Sequence, residues 1–395
     1  MSIRDDAAAL QGDLVQLRRR LHLEPELGLQ LPRTQEKVLD AVEGLGLEIA
    51  LGGSLSSVIG VLRGAQPGPA VLLRADMDAL PVAERTGLDF AAQTDRMHAC
   101  GHDLHTTMLI GAARLLSAHA DKLGGDVVFM FQPGEEGYDG ASHMVSEGVL
   151  EAAGSRVVAG YALHVVSMLP AGTVVTRRGP MLAASDTLCV TVRGAGGHGS
   201  TPHRALDPVP ATCEMILALQ TLVTRTVDIH DPVVITVGSI HGGTQHNVIP
   251  DEVQFEATVR SYSRQSHTQI KNGIHRTLRG IAEAHGLDVD IDYTDLYPVT
   301  VNDPREAEFA AATATELLGE DRFQWAPHPL SASEDFSRVL DNVPGAMLLL
   351  GAAPNGVDPE SAPTNHSPLV TFDESVLASG AALYADLAIQ RLAMC

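Results

Sequence analysis

Cys100-Gly101-His102-Asp103, Pro133-Gly134-Glu135-Glu136-Gly137, His164 and His366 carry side chains that could do chemistry together. They supply a thiolate, carboxylates and imidazoles, the donors from which hydrolytic metal centres are made. The glutamate pair adds a second point: one carboxylate can bind a metal while its neighbour takes a proton from water. Cys100, His102, Glu136, His164 and His366 are five candidate ligands, one more than a structural tetrahedral site uses. Two divalent metals sharing a ligand account for that surplus. A thiolate or a carboxylate can bridge, so Cys100 and Glu136 are the bridging candidates. Mixed sulfur, nitrogen and oxygen ligation suits Zn2+ or Mn2+, with Co2+ and Ni2+ also compatible. The chain reads as a metal-dependent hydrolase.

Each residue alone has a blander reading. Of 17 histidines most must be surface or satisfied core residues, a lone cysteine is a small hydrophobe, and Glu-Glu is an ordinary exposed loop. A cysteine near a histidine can also be a nucleophile, so a thiol hydrolase stays open, although the glutamate pair then has no task. Gly194-Ala195-Gly196-Gly197-His198-Gly199 formally matches a dinucleotide fingerprint. Ser200-Thr201-Pro202 follows where a helix should begin, so these glycines read as a loop presenting His198.

The elements that must position these groups are legible in outline. Leu10, Leu14, Leu17 and Leu21 form one helical stripe. Strands are expected at 57–62 and 70–74, the second running into Asp76 and Asp78, followed by a helix at 104–119. Strands at 126–131 and 157–163 should end at the glutamate pair and at His164. Such alternation describes an α/β layer with a largely parallel sheet, whose sites gather beyond the carboxyl ends of strands.

The middle of the chain reads differently. A strand at 187–193, a helix opened by Asp207-Pro208, strands at 233–240 and 253–260, a helix at 265–285 and a strand at 287–293 follow one another. That order, β-α-β-β-α-β, belongs to a ferredoxin-like sandwich. The expected fold is a two-domain α/β protein, with a catalytic domain of residues 1–185 and 296–395 and a ferredoxin-like domain inserted at 186–295. A strand at 346–350 and a closing helix at 372–392 complete the larger domain.

Bulk properties exclude several functions. At 395 residues the chain exceeds one ordinary core. Its net charge of −22 argues against nucleic acid or an anionic membrane as partner. No apolar run approaches the ~18 residues of a spanning helix. Asp5, Asp6 and Asp13 break the N-terminal segment, so no export signal is read. Cys100, Cys189, Cys213 and Cys395 are then expected as free thiols of a cytoplasmic protein.

Further motifs carry a resemblance. Arg18-Arg19-Arg20-Leu21-His22, Pro25-Glu26-Leu27-Gly28, Arg74-Ala75-Asp76-Met77-Asp78-Ala79-Leu80-Pro81, His98-Ala99-Cys100-Gly101-His102-Asp103 and Gln132-Pro133-Gly134-Glu135-Glu136 occur in order. They are joined by Gly196-Gly197-His198, His246-Asn247-Val248-Ile249-Pro250, Ser333-Glu334-Asp335-Phe336 and His366. Together, over nearly the whole chain, they resemble the amidohydrolase branch of the aminoacylase/carboxypeptidase family of metallopeptidases. That branch includes hippurate hydrolases, N-acyl-amino-acid amidohydrolases and hydrolases of auxin–amino-acid conjugates.

The resemblance implies that Cys100, His102, Glu136, His164 and His366 hold two metal ions. It makes Glu135 the general base, which takes a proton from water and passes it to the leaving amine. His198 is implied as the stabiliser of the oxyanion, supplied in some relatives by the partner subunit. Asn247 and Arg260 are implied as contacts to the substrate carboxylate or oxyanion, and the inserted domain as a lid through which a homodimer forms. Asp76, Asp78 and Asp103 are expected to orient ligands rather than bind metal. Family members outside this branch carry a histidine and a bridging aspartate where this chain has Asp76 and the Cys100 region. The expected reaction is hydrolysis of the amide bond of a small N-acyl-L-amino acid. A dipeptidase or carboxypeptidase with the same centre is the first alternative, and an inactive small-molecule binder the second.

Overall fold

The computed structural model describes Ile3–Met394. Two compact units divide it. One holds residues up to Met181, Val301–His328 and the chain from Asp335 onward; the other holds Leu182–Thr300 and Pro329–Glu334.

The first unit is built on an eight-stranded sheet. Its strands lie in the order Glu48–Leu51, Val58–Leu62, Asp126–Gln132, Ala70–Asp76, Ala159–Val166, Gly345–Gly351, Val174–Thr176 and Phe323–Trp325. From Asp126–Gln132 to Gly345–Gly351 the pairing is parallel, whereas Glu48–Leu51 and Val58–Leu62 attach antiparallel. Val174–Thr176 also runs against Gly345–Gly351. Phe323–Trp325 pairs parallel with Val174–Thr176, so the sheet is largely parallel, as expected, with antiparallel junctions toward its edges. Parallel neighbours need a long crossover such as the helix His102–Ala118, while the short links near residues 52–57 and 167–173 simply reverse the chain.

Val58–Leu62, Ala70–Asp76 and Gly345–Gly351 are buried at every position, as strands covered on both faces must be. The helices Ile3–His22, His102–Ala118 and Val376–Ala393 pack on one another and supply much of that cover. In the helix Ile3–His22 the expected stripe is realised, with Leu14, Leu17 and Leu21 buried. Almost all of His102–Ala118 is buried too, which places His102, Asp103 and His105 out of water. These three must find partners inside the protein.

One boundary differs from the expectation in a way that matters. The strand Ala159–Val166 does not end at His164, because Leu349 to Gly351 continue the ladder alongside His164 to Val166. His164 is a side chain on the strand itself, not a residue beyond it.

The second unit is a four-stranded antiparallel sheet in the order Val233–Gly242, Glu252–Ser261, Ala184–Arg193, Asp288–Tyr297. The helices Pro208–Thr226 and Arg264–His285 share an apolar core with one face of it. Glu252–Ser261 alternates exposed and buried residues, the signature of a half-covered strand. Asp207 caps the first helix by accepting from the Val209 N–H at 3.0 Å, and Pro208 sits where its missing N–H is harmless. In chain order the unit reads β-α-β-β-α-β. At the glycine run no helix starts; Gly197–His198 instead pairs with Val248–Ile249. Among the described residues no helix is long and apolar enough to cross a membrane. Cys100, Cys189 and Cys213 are free thiols, and Cys395 lies outside the described residues.

Candidate metal centre

The tight turn at Gly101 brings the first two candidate ligands together. Gly101 has φ 86°, a left-handed conformation, and a Cβ there would sit 2.3 Å from Val165 Cγ2. Only glycine lets the chain turn this sharply between Cys100 and the start of the helix that carries His102. Gly101→Ala is expected to lower stability by about 2–4 kcal/mol, from left-handed strain plus overpacking. Urea unfolding in the presence of chelator measures this without any metal contribution; an unchanged midpoint would refute it.

Four segments converge on Cys100. His164 Nε2 lies 3.4 Å from its sulfur and His366 Nε2 3.2 Å. His366 Nε2 is also 3.3 Å from Glu136 Oε1. Cys100, His102 and His164 form one group of potential ligand atoms within 4.8 Å of each other, and Cys100, Glu136 and His366 form a second. The two groups share the sulfur. His102, Glu135 and Glu136 make a third such group, so the second glutamate stands against the same cluster.

Hydrogen bonds fix which atoms face inward. His164 Nδ1–H donates to the Val165 carbonyl at 2.8 Å, leaving the Nε2 lone pair for the sulfur side. Asp78 accepts from the backbone N–H of Glu135 at 3.1 Å and of Glu136 at 3.0 Å, and lies 3.3 Å from His102 Nδ1. One carboxylate thus holds the glutamate loop and stands beside the His102 ring. His105 is spent elsewhere. Its Nε2 accepts from the Val165 N–H at 2.7 Å, so Nδ1 carries the proton and donates to Asp76 Oδ1 at 2.6 Å. The other oxygen of Asp76 accepts from Arg74 at 2.7 Å and lies 3.6 Å from His102 Nε2. Asp103 turns the opposite way, to Arg18 at 2.7 Å and His22 at 2.8 Å, and reaches the ligands only through the helix backbone.

His366 has φ 72°, unusual for a residue with a Cβ. Its N–H donates to the Ala99 carbonyl at 2.8 Å, which ties this strained residue to the Cys100 loop. Asn365, not marked by any sequence motif, donates to the carbonyl of Val165 at 3.0 Å and of Cys100 at 3.3 Å. Its only signal was adjacency to His366.

The electrostatics match a cation site. Burial and Glu136 push the Cys100 thiol up, yet the imidazoles of His164 and His102 outweigh them and hold it well below the usual thiol range. The Cys100 sulfur and Glu136 raise His366 to about 10. Burial opposes charge on His102, but Asp76, Asp78 and Cys100 hold its pKa well above the usual imidazole range. Burial, helped by the neighbouring His164 and His102 and opposed by Asp76, takes His105 down to about 4, in keeping with its neutral tautomer. Neither ring nitrogen of His102 nor Glu136 Oε1 makes a hydrogen bond, although all three are buried. Such atoms cost about 1–3 kcal/mol each unless something satisfies them. A thiolate, carboxylates and imidazole lone pairs around one point fit a divalent metal.

In the second unit, the Ser200 N–H donates to His198 Nδ1 at 3.1 Å, so His198 presents Nε2–H as a donor. His198 and Asn247 line one open depression of about 470 Å3 with Gly196, Gly197, Val248, Ile249 and Asp251. Arg260 is not part of it. It lies near the other end of Glu252–Ser261, half-buried, with Nη1 making no hydrogen bond. Eight residues of antiparallel strand separate Glu252 from Arg260, about 27 Å at ~3.4 Å per residue.

Comparison with known proteins agrees with this chemistry. Residues 72–390 match the profile described as Peptidase family M20/M25/M40. Thermostable carboxypeptidase 1 of Saccharolobus solfataricus is 35% identical over 98% of both chains. Hippurate hydrolase of Campylobacter jejuni is 33% identical over 99% of this chain and 100% of its own. A crystal structure from Bacillus subtilis, described as a dinuclear metal binding peptidase from the M20 family, superposes with TM-score 0.84 at 30% identity, covering 98% of this chain and 99% of the other. The resemblance read from the motifs is borne out. A profile match across most of the length, with relatives named carboxypeptidase and hippurate hydrolase matching over nearly their whole length, places the chain in peptidase family M20/M25/M40 as a metal-dependent amidohydrolase or peptidase.

Proposed function

We propose that the chain hydrolyses the amide bond of N-acyl-L-amino acids to a carboxylic acid and a free amino acid. The observation that carries this reading is the pair of ligand groups sharing Cys100, with Glu135 against the same cluster. Cys100, His102 and His164 would hold one divalent ion, and Cys100, Glu136 and His366 the other, Zn2+ or Mn2+ suiting both. Bound there, the ions lower the pKa of water and polarise the scissile carbonyl. Glu135 takes the proton from water and returns it to the leaving amine. A base beside the ligands would serve no purpose in an inactive binder. His198, with Nε2–H as donor, suits a developing oxyanion, and Arg260 offers a planar fork to the α-carboxylate.

The spacing in the second unit supports a homodimer. Arg260 lies outside the depression that His198 and Asn247 line, toward the far end of Glu252–Ser261, so a substrate held by Arg260 needs its oxyanion donor from elsewhere. His198 of a second copy meets that requirement, which is why we read the inserted unit as both lid and dimer contact. A carboxypeptidase or dipeptidase using the same centre is the second reading, favoured by the Saccharolobus relative's name.

A panel of N-acetyl, N-benzoyl and long-chain N-acyl amino acids with dipeptides, assayed for amino-acid release, tests the proposal. Turnover of acyl amino acids above dipeptides is expected; the reverse order would favour the peptidase. In the same panel Arg260→Ala is expected to raise KM roughly 10- to 100-fold, the worth of one charge-assisted contact. Substrates whose α-carboxylate is amidated should barely change. An equal loss on both would remove Arg260 from carboxylate binding.

A further inference from the structure

Arg74, Gln132 and Asp335 belong to sequence motifs that the proposed reaction does not use, yet they form a fully buried polar network in the first unit. Asp335 is 0% exposed, Gln132 0% and Arg74 1%. Asp335 accepts from Arg74 Nη2 at 2.8 Å, from Gln132 Nε2 at 2.7 Å and from the Ala141 N–H at 3.0 Å. Arg74 spends its other donors on Asp76 at 2.7 Å and on Gln132 Oε1 at 2.9 Å.

Two arms leave this knot, and both end at the candidate metal centre. Through Arg74 it fixes Asp76, whose oxygens face His105 and His102. Through Gln132 it holds the residue just before Pro133-Gly134-Glu135-Glu136, and through Ala141 the residue after Gly140, whose N–H donates to the Gly134 carbonyl at 3.0 Å. Gly140 packs so closely on Pro133 that a Cβ would meet its carbonyl oxygen at 1.8 Å. The glutamate loop is thus pinned on both flanks by one carboxylate.

We infer that Asp335 is a positioning residue for the metal centre: it sets the orientation of His102 through Arg74 and Asp76, and the placement of Glu135 and Glu136 through Gln132 and Ala141. This role rests on the metal reading proposed above. Neutralising the charge of Arg74 needs one carboxylate, and Asp76 already supplies it. Collecting donors from three segments is what registers the histidine helix against the glutamate loop.

The test is Asp335→Asn in the whole chain, with Gln132→Met as a second variant that removes the Gln132 contacts to Asp335 and Arg74 and leaves the Arg74–Asp335 ion pair. In Asp335→Asn an amide NH2 replaces one acceptor and faces donors already present. Affinity for Zn2+ and Mn2+, measured by competition with a fluorescent chelator, should weaken roughly 10- to 100-fold. kcat should fall with KM little changed, and Gln132→Met should show a smaller loss of the same kind. Circular dichroism establishes that each variant is folded. Should Asp335→Asn not fold, Gln132→Met decides by the same readouts. A folded variant that melts earlier but binds metal and turns over like the parent would overturn the positioning role. A parent chain that binds neither metal would overturn the metal centre itself, and this role with it.

Discussion

Glu135→Gln should lower kcat by roughly 10²–10⁴-fold, the usual worth of a positioned proton carrier. KM and metal content should stay near those of the parent. Glutamine keeps the shape of the side chain, and the backbone N–H of residue 135 still reaches Asp78, so the loop has no reason to move. What is lost is the basic oxygen that, in the proposed reaction, takes a proton from water and gives it to the amine. Steady-state kinetics and metal analysis on one preparation check both halves. A variant that turns over within a few-fold of the parent would transfer the base role elsewhere. A variant that has lost its metal would make Glu135 a ligand, and the neighbouring Glu136 would then be the residue to examine.

Cys100→Ala should be as damaging for a different reason. The sulfur is the one atom common to both ligand groups, with His164 and His366 at 3.4 and 3.2 Å. Its removal is expected to reduce bound metal from two ions per chain to one or none. Without them the centre loses several kcal/mol of transition-state stabilisation, at least ~10³-fold in rate. Chelation of the parent should abolish turnover in the same way, and added Zn2+ or Mn2+ should restore it. This second measurement separates a ligand from a nucleophile, because both roles would fail in Cys100→Ala. Turnover that survives complete removal of metal would make Cys100 the attacking group and sink the metal reading.

The chemistry-bearing residues could be picked out because they break local patterns. Arg74 and Asp76 interrupt an apolar strand, Cys100 and His102 flank a glycine, and a glutamate pair follows another strand at Pro133-Gly134. The inserted unit was legible for a similar reason. Its half-covered strands alternate, and Asp207-Pro208 is a strong helix start. His164 was found with a wrong local setting, since nothing in one apolar run tells where its neighbour's hydrogen bonds stop.

Residue types, turn glycines and periodicity act over a few positions, so the chain alone pointed to the candidate ligands, the glutamate beside one of them and the alternation of elements. Sheet direction at the edges, the tautomer of His105 and the turn of Asp103 away from the ligands were settled by packing. So was the union of Arg74 with Asp335, 261 residues away. Parallel neighbours and buried ion pairs are contacts between distant segments, and their energy depends on geometry that no local pattern encodes.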